Sequence, residues 1–158
     1  MPHLELTGGR KLTYSAWHRA PSIARFVGDE IARSLTMIDV DCVEMHKGDP
    51  IALVEVAVWS PLTEQAKQVH GTAKLAKMAG IFAYAALYVE SATKNETDQR
   101  WPDIDSFRIR RLWPNPANEY SERNPAEWAE YLHLLRTDGD RLYSQALQIQ
   151  EEQQRKQA

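Results

Sequence analysis

Between Met37 and Trp59 the chain reads MIDVDCVEMHKGDPIALVEVAVW, two β-prone runs hinged on the quartet Lys47-Gly48-Asp49-Pro50. Val40, Cys42, Ile51, Leu53, Val54, Val56 and Val58 favour extended backbone, and the Gly and Pro between them favour a reversal, so the stretch predicts a hairpin. Its acids are the unusual part. Side chains alternate between faces along a strand, which sets Asp39 and Asp41 on one face of the first strand and Leu53, Glu55 and Ala57 on one face of the second. With Lys47 to Asp49 as a three-residue loop, Asp41 stands opposite Glu55 and Asp39 opposite Ala57. Facing carboxylates repel. A divalent cation between them reverses that penalty, and carboxylate oxygens suit Mg²⁺ or Mn²⁺. The same acids also suit the solvated face of an antiparallel sheet that holds no metal.

The chain has 158 residues, 43% of them apolar and 26% charged, which predicts one globular domain around one core. A net charge of −3 argues against a broadly cationic nucleic-acid protein, so a polyanion would have to meet a local patch. The lone cysteine, Cys42, excludes a disulfide framework and a cysteine zinc site, and it fits a reducing cytosol. The opening MPHLELTGGRKL has no apolar core of signal-peptide length, and the longest apolar segment, Ala79 to Val89, is too short to span a bilayer. The expectation is a cytoplasmic protein with no membrane partner.

Ahead of the hairpin, Trp17, His18 and Arg19 form a corner that can bind an anion or stack on a base, or else a core or lid tryptophan beside a solvated turn. Ile23, Phe26, Val27, Ile31 and Leu35 recur at helical spacing from Pro21, with Gly28 as a weak point. Beyond the hairpin, Ser60, Pro61 and Glu64 resemble a capped helix start, and Leu62, Ala66, Val69, Ala73, Leu75 and Met78 supply an apolar side as far as the terminator Gly80. That helix should cover the acidic face, and covered acids need partners or an ion. Ile81 to Val89 is apolar on both faces, as in a central strand, and the strand–helix–strand order favours parallel pairing. Ala92 to Asp105 reads as a polar loop. Ser106 to Trp113 reads as an edge strand, with Phe107 and Ile109 facing one way and Arg108 and Arg110 the other. The two arginines can track a phosphate backbone or simply protect the edge. Asn124-Pro125-Ala126-Glu127 opens a helix with a stripe of Trp128, Tyr131, Leu132 and Leu135, which Asp138-Gly139-Asp140 breaks before a final segment from Arg141.

This order resembles the PD-(D/E)XK nuclease superfamily. Val40-Asp41 matches its first motif and Glu55-Val56-Ala57 its second, at a spacing similar to that of archaeal Holliday junction resolvases. Small phage and prophage proteins of this kind are a closer likeness, through Trp17-His18-Arg19, the run Asp39 to Glu44, the run Ile51 to Val56, and Phe107-Arg108-Ile109. The resemblance implies an α/β, restriction-endonuclease-like core, a mixed central sheet flanked by helices with C-terminal helices after it. It implies a nuclease-like domain over 1–140 and a helical extension over 141–158. It also implies a metal site of Asp39, Asp41 and Glu55 holding Mg²⁺ or Mn²⁺, DNA as partner, a possible homodimer, and a host-cell cytoplasm if the gene is viral.

One position departs from that pattern. Ala57 stands where the superfamily carries the lysine that helps to activate water. Lys67 in the following helix is the leading substitute and Lys47 a weaker one, with His18 as another candidate to assist the water. Gln65 and Gln68 could contact DNA, as could Trp17, Arg19, Arg108 and Arg110. Two functions follow as expectations. Either Asp41, Glu55, Lys67 and His18 serve a metal-dependent DNA endonuclease, or the fold has lost hydrolysis and binds nucleic acid or protein.

Overall fold

The computed structural model describes residues 20–34, 40–66 and 69–158. By its internal contacts the chain divides into two units, Met1–Asp39 and Val40–Ala158. Trp17, His18, Arg19, Asp39, Lys67 and Gln68 lie outside the described residues. In the first unit the expected single helix is two, α1 (Ala20–Val27) and α2 (Asp29–Ser34). Gly28 separates them at φ 83°, a left-handed conformation that a continuous helix does not use.

The second unit is a five-stranded mixed sheet in the order β1-β2-β3-β4-β5. Its strands are β1 (Cys42–His46), β2 (Asp49–Val58), β3 (Phe82–Lys94), β4 (Pro102–Trp113) and β5 (Ser121–Arg123). Neighbours are antiparallel except β2 and β3, which are parallel. The connection between that parallel pair carries α3 (Pro61–Ala66) and α4 (His70–Ala79), the latter closed by Gly80 at φ 70°. The chain ends in α5 (Pro125–Gln157). Helices flank the sheet, and no helix among the described residues is long and apolar enough to cross a membrane.

The hairpin turn is tighter than expected. Lys47 at φ 50° and Gly48 at φ 91° form a two-residue reversal of the type that matches strand twist, and Asp49 and Pro50 already belong to β2. The register then shifts between Glu44 and Met45, where Ile51 is an extra residue on β2 between Pro50 and Ala52. Turn and bulge together restore the offset of a three-residue loop, so Cys42 pairs with Val54 and Val43 with Leu53.

Alternation along β2 separates two cores. Ala52 and Val54 join Phe82, Tyr84, Ala86, Ile109, Trp128 and Leu135 beneath α5, whereas Leu53 joins Ala76, Ala83, Ala85 and Leu112 beneath α4. Buried on both faces from Phe82 to Leu87, β3 is the central strand that its apolar run predicts. It does not end where the polarity rises. The strand continues to Lys94 and β4 begins at Pro102, so only 95–101 form the loop expected over Ala92 to Asp105. An antiparallel ribbon exposed at its tip satisfies its backbone by pairing and places no demand for apolar side chains. Nor is β4 an edge strand. Ser121, Glu122 and Arg123 pair with Ile109, Arg108 and Phe107, a short polar strand without an apolar signal.

At the start of α5, Asn124 accepts the Glu127 backbone N–H while the Glu127 carboxylate accepts that of Asn124, a reciprocal cap with Pro125 inside it. The break at Asp138-Gly139-Asp140 is a kink. Asp138 has φ −142° and ψ 21°, yet the helix runs for 33 residues. Packing carries it through, because Leu142 and Tyr143 rejoin the core and Tyr143 accepts the Trp113 indole N–H at 2.9 Å.

Tyr84 and Tyr131 share a 2.6 Å hydrogen bond between their hydroxyls. Burial, and then the neighbouring Tyr131, hold the Tyr84 phenol neutral far above the ordinary tyrosine range. The unfolded chain ionises this group near about pH 10, whereas the folded chain keeps its proton. The stabilisation is therefore complete below that pH and is lost as pH rises. Between about pH 9 and pH 11 the urea midpoint of the wild type should fall more steeply than that of Tyr84→Phe.

Candidate functional site

Two acidic residues, Asp41 and Glu55, stand level at the open end of the β1–β2 hairpin. The ladder stops at Cys42, and the Asp41 side chain takes over from it: Oδ2 accepts the Val56 backbone N–H at 2.9 Å. Continuing the Cys42–Val54 register brings Asp41 level with Glu55, as the sequence predicts, although Asp41 itself lies just before the strand. Glu55 is 5% exposed and accepts a short hydrogen bond from the Thr72 hydroxyl, on α4, which is 3% exposed. The predicted cover over the acidic face is real, and α4 supplies a polar partner from within it. Sequence reading missed Thr72; its only signal is a hydroxyl set in the Ala-rich run of α4.

The register extends this face across the sheet. Glu55 pairs with Ala85 and Ala85 with Arg110, while Ala57 pairs with Leu87 and Leu87 with Arg108. Directly paired residues share a face, so Arg108 and Arg110 stand on the carboxylate side, as their alternation with Phe107 and Ile109 predicts. Each guanidinium lies over an aromatic ring, Arg110 at 5.0 Å from Tyr120 and Arg108 at 5.2 Å from Trp59. The Nε atoms of both arginines are buried without a hydrogen-bond partner.

Glu64 does not close the helix cap expected of it. Ser60 Oγ accepts the Thr63 N–H at 3.0 Å, but the Glu64 carboxylate turns to the Trp59 indole N–H at 2.8 Å and to Arg108 Nε at 3.2 Å. Gln65 is exposed on α3. Lys47, the weaker substitute for the missing lysine, sits in the turn at the far end of β2. Six residues of extended strand separate it from Glu55, roughly 20 Å, which removes it from the site.

Asp41 and Glu55 offer oxygen donors of the kind that Mg²⁺ takes together with several waters. Among the described residues no group of three or more His, Cys, Asp or Glu side chains is placed to hold a metal ion. A separate cleft of about 720 Å³ opens at the α5 kink, lined by His46, Asp49, Phe82, Arg136, Asp138 and Arg141 among others. It lies at the turn end of β2 and includes neither carboxylate. No family model matches the chain, and no curated protein or solved structure matches it either.

Proposed function

We propose that this chain is a nucleic-acid-binding module built on a restriction-endonuclease-like core, in which binding has outlived hydrolysis. The observation that carries the reading is the pair Arg108 and Arg110, each stacked on an aromatic ring and both on the carboxylate face. Arginine supplies phosphate contacts, and aromatic rings add a sequence-tolerant surface for bases. Ala57 removes the ammonium that would favour hydroxide beside a metal. Glu55 is meanwhile fastened to Thr72, and Asp41 to the β2 backbone. Local charge of this kind reconciles phosphate binding with a net charge of −3.

The second reading, a Mg²⁺- or Mn²⁺-dependent endonuclease, draws on the same geometry, since Asp41 and Glu55 stand level at one end of the hairpin. The two are separated by one set of measurements. Anisotropy with fluorescein-labelled DNA should show salt-sensitive binding that Arg110→Ala weakens roughly tenfold. The same DNA, incubated with Mg²⁺ or Mn²⁺, should stay intact. Cleavage by the wild type that Glu55→Ala abolishes would establish the endonuclease instead, and absence of any DNA binding would sink both readings.

A further inference from the structure

Three side chains beside the carboxylate pair form a unit of their own. Trp59 follows β2 directly, its backbone N–H bonded to the Tyr88 carbonyl at 2.7 Å, so the indole is carried on a fixed main chain. The Arg108 guanidinium covers that ring at 5.2 Å. Glu64, from α3, accepts the indole N–H at 2.8 Å and approaches Arg108 Nε at 3.2 Å. The last contact is an ion pair without hydrogen-bond alignment, since Arg108 Nε has no hydrogen-bond partner. Nε itself is buried, but the two side chains as wholes are 34% and 29% exposed. An ion pair of that kind is weak and open to exchange.

We infer that Trp59, Glu64 and Arg108 are a latched site for single-stranded nucleic acid, an inference that rests on the nucleic-acid-binding reading above. Glu64 holds the place of a phosphate. An arriving strand displaces its carboxylate from Arg108, puts a phosphate there, and stacks an unpaired base on the Arg108–Trp59 pair. Duplex DNA does the first but not the second, because its bases are already stacked on one another. The latch gives the face a threshold: weak anions leave Glu64 in place, whereas a ligand that offers phosphate and base together gains the Arg108 contact and the stacking at once. Arg110 over Tyr120 repeats the arginine–aromatic pairing on the same face with no carboxylate paired to it among the described residues, which leaves Glu64 as the element that distinguishes the gated position.

Glu64→Gln tests this directly, because the amide oxygen still accepts the indole N–H while the negative charge is gone. Labelled oligothymidylate should bind Glu64→Gln more tightly than the wild type, with an unchanged log–log salt dependence, because the same strand phosphate is held at Arg108 in both complexes. Trp59→Phe keeps a ring and releases Glu64, so it should bind at least as well as the wild type. Trp59→Leu, folded by its melting curve, should bind roughly tenfold more weakly. A blunt duplex should gain less than the single strand from Glu64→Gln. Unchanged or weaker single-strand binding by Glu64→Gln, with Arg110→Ala still impaired, would overturn the latch and leave the binding reading standing. Equal gains for duplex and single strand would overturn the stacking step. No binding by the wild type or by Glu64→Gln would overturn the latch and the binding reading together.

Discussion

Trp128→Ala should destabilise the protein by about 3–5 kcal/mol, the largest loss expected of any single substitution considered for this fold. Trp128 is 7% exposed and sits where the first turn of α5 meets the sheet. Its ring stands edge-on to Tyr84 at 5.8 Å, lies nearly parallel to Tyr131 at 5.8 Å and is tilted against Phe107 at 6.3 Å. Truncation removes the buried area of an indole and leaves a cavity among rings that stiff strands hold apart. Collapse around the void is restricted, because Tyr84 is tied to Tyr131 through their hydroxyls. Urea unfolding at 25 °C measures the loss. A change below about 1 kcal/mol would show that α5 is not anchored through this ring.

Thr72→Val should cost roughly 1.5–3 kcal/mol, the range for a hydrogen bond to a buried charged group. Valine keeps the shape and removes the hydroxyl, so the buried Glu55 carboxylate loses the donor that Thr72 supplies. Thr72→Ser keeps the donor and should cost well under half as much. Urea unfolding of the three proteins decides it. A loss for serine as large as that for valine would show that the hydroxyl, which serine keeps, contributes no more than the methyl that serine alone lacks, and would remove Thr72 from the site.

Much of this architecture is written in local pattern. The both-faces-apolar run of β3, the terminator Gly80, the Asn124–Glu127 cap and the alternation of Arg108 and Arg110 with Phe107 and Ile109 are each determined within a few residues, and each is found. What local pattern hides is whatever pairing alone creates. Ser121-Glu122-Arg123 is a strand only because β4 lies beside it, and Ser91 to Lys94 stay extended only because β4 returns alongside. The kink at Asp138 looks like an end because Asp and Gly weaken helices, whereas tertiary contacts on either side outweigh that preference. In the candidate site the level placement of Asp41 and Glu55 could be read from hairpin spacing. Thr72 and the Trp59–Glu64 contact could not, since each joins elements whose approach depends on the packing of α3 and α4.

Ile51 also bears on how such a hairpin holds its register. It is the supernumerary residue that compensates for the two-residue turn, and every pairing from Glu44 back to Cys42 depends on its staying out of the ladder. Were Ile51 drawn into the ladder opposite Glu44 instead, the register of one strand against the other would slip by a single place. Asp41 would then come level with Val54, on the side that faces α5 and its aromatic core, and Glu55 would be left beside Val40. Whether Ile51 is looped out or paired therefore decides the chemistry of this end of the hairpin: pairing it would send a carboxylate into the oil and leave its neighbour without a counterpart.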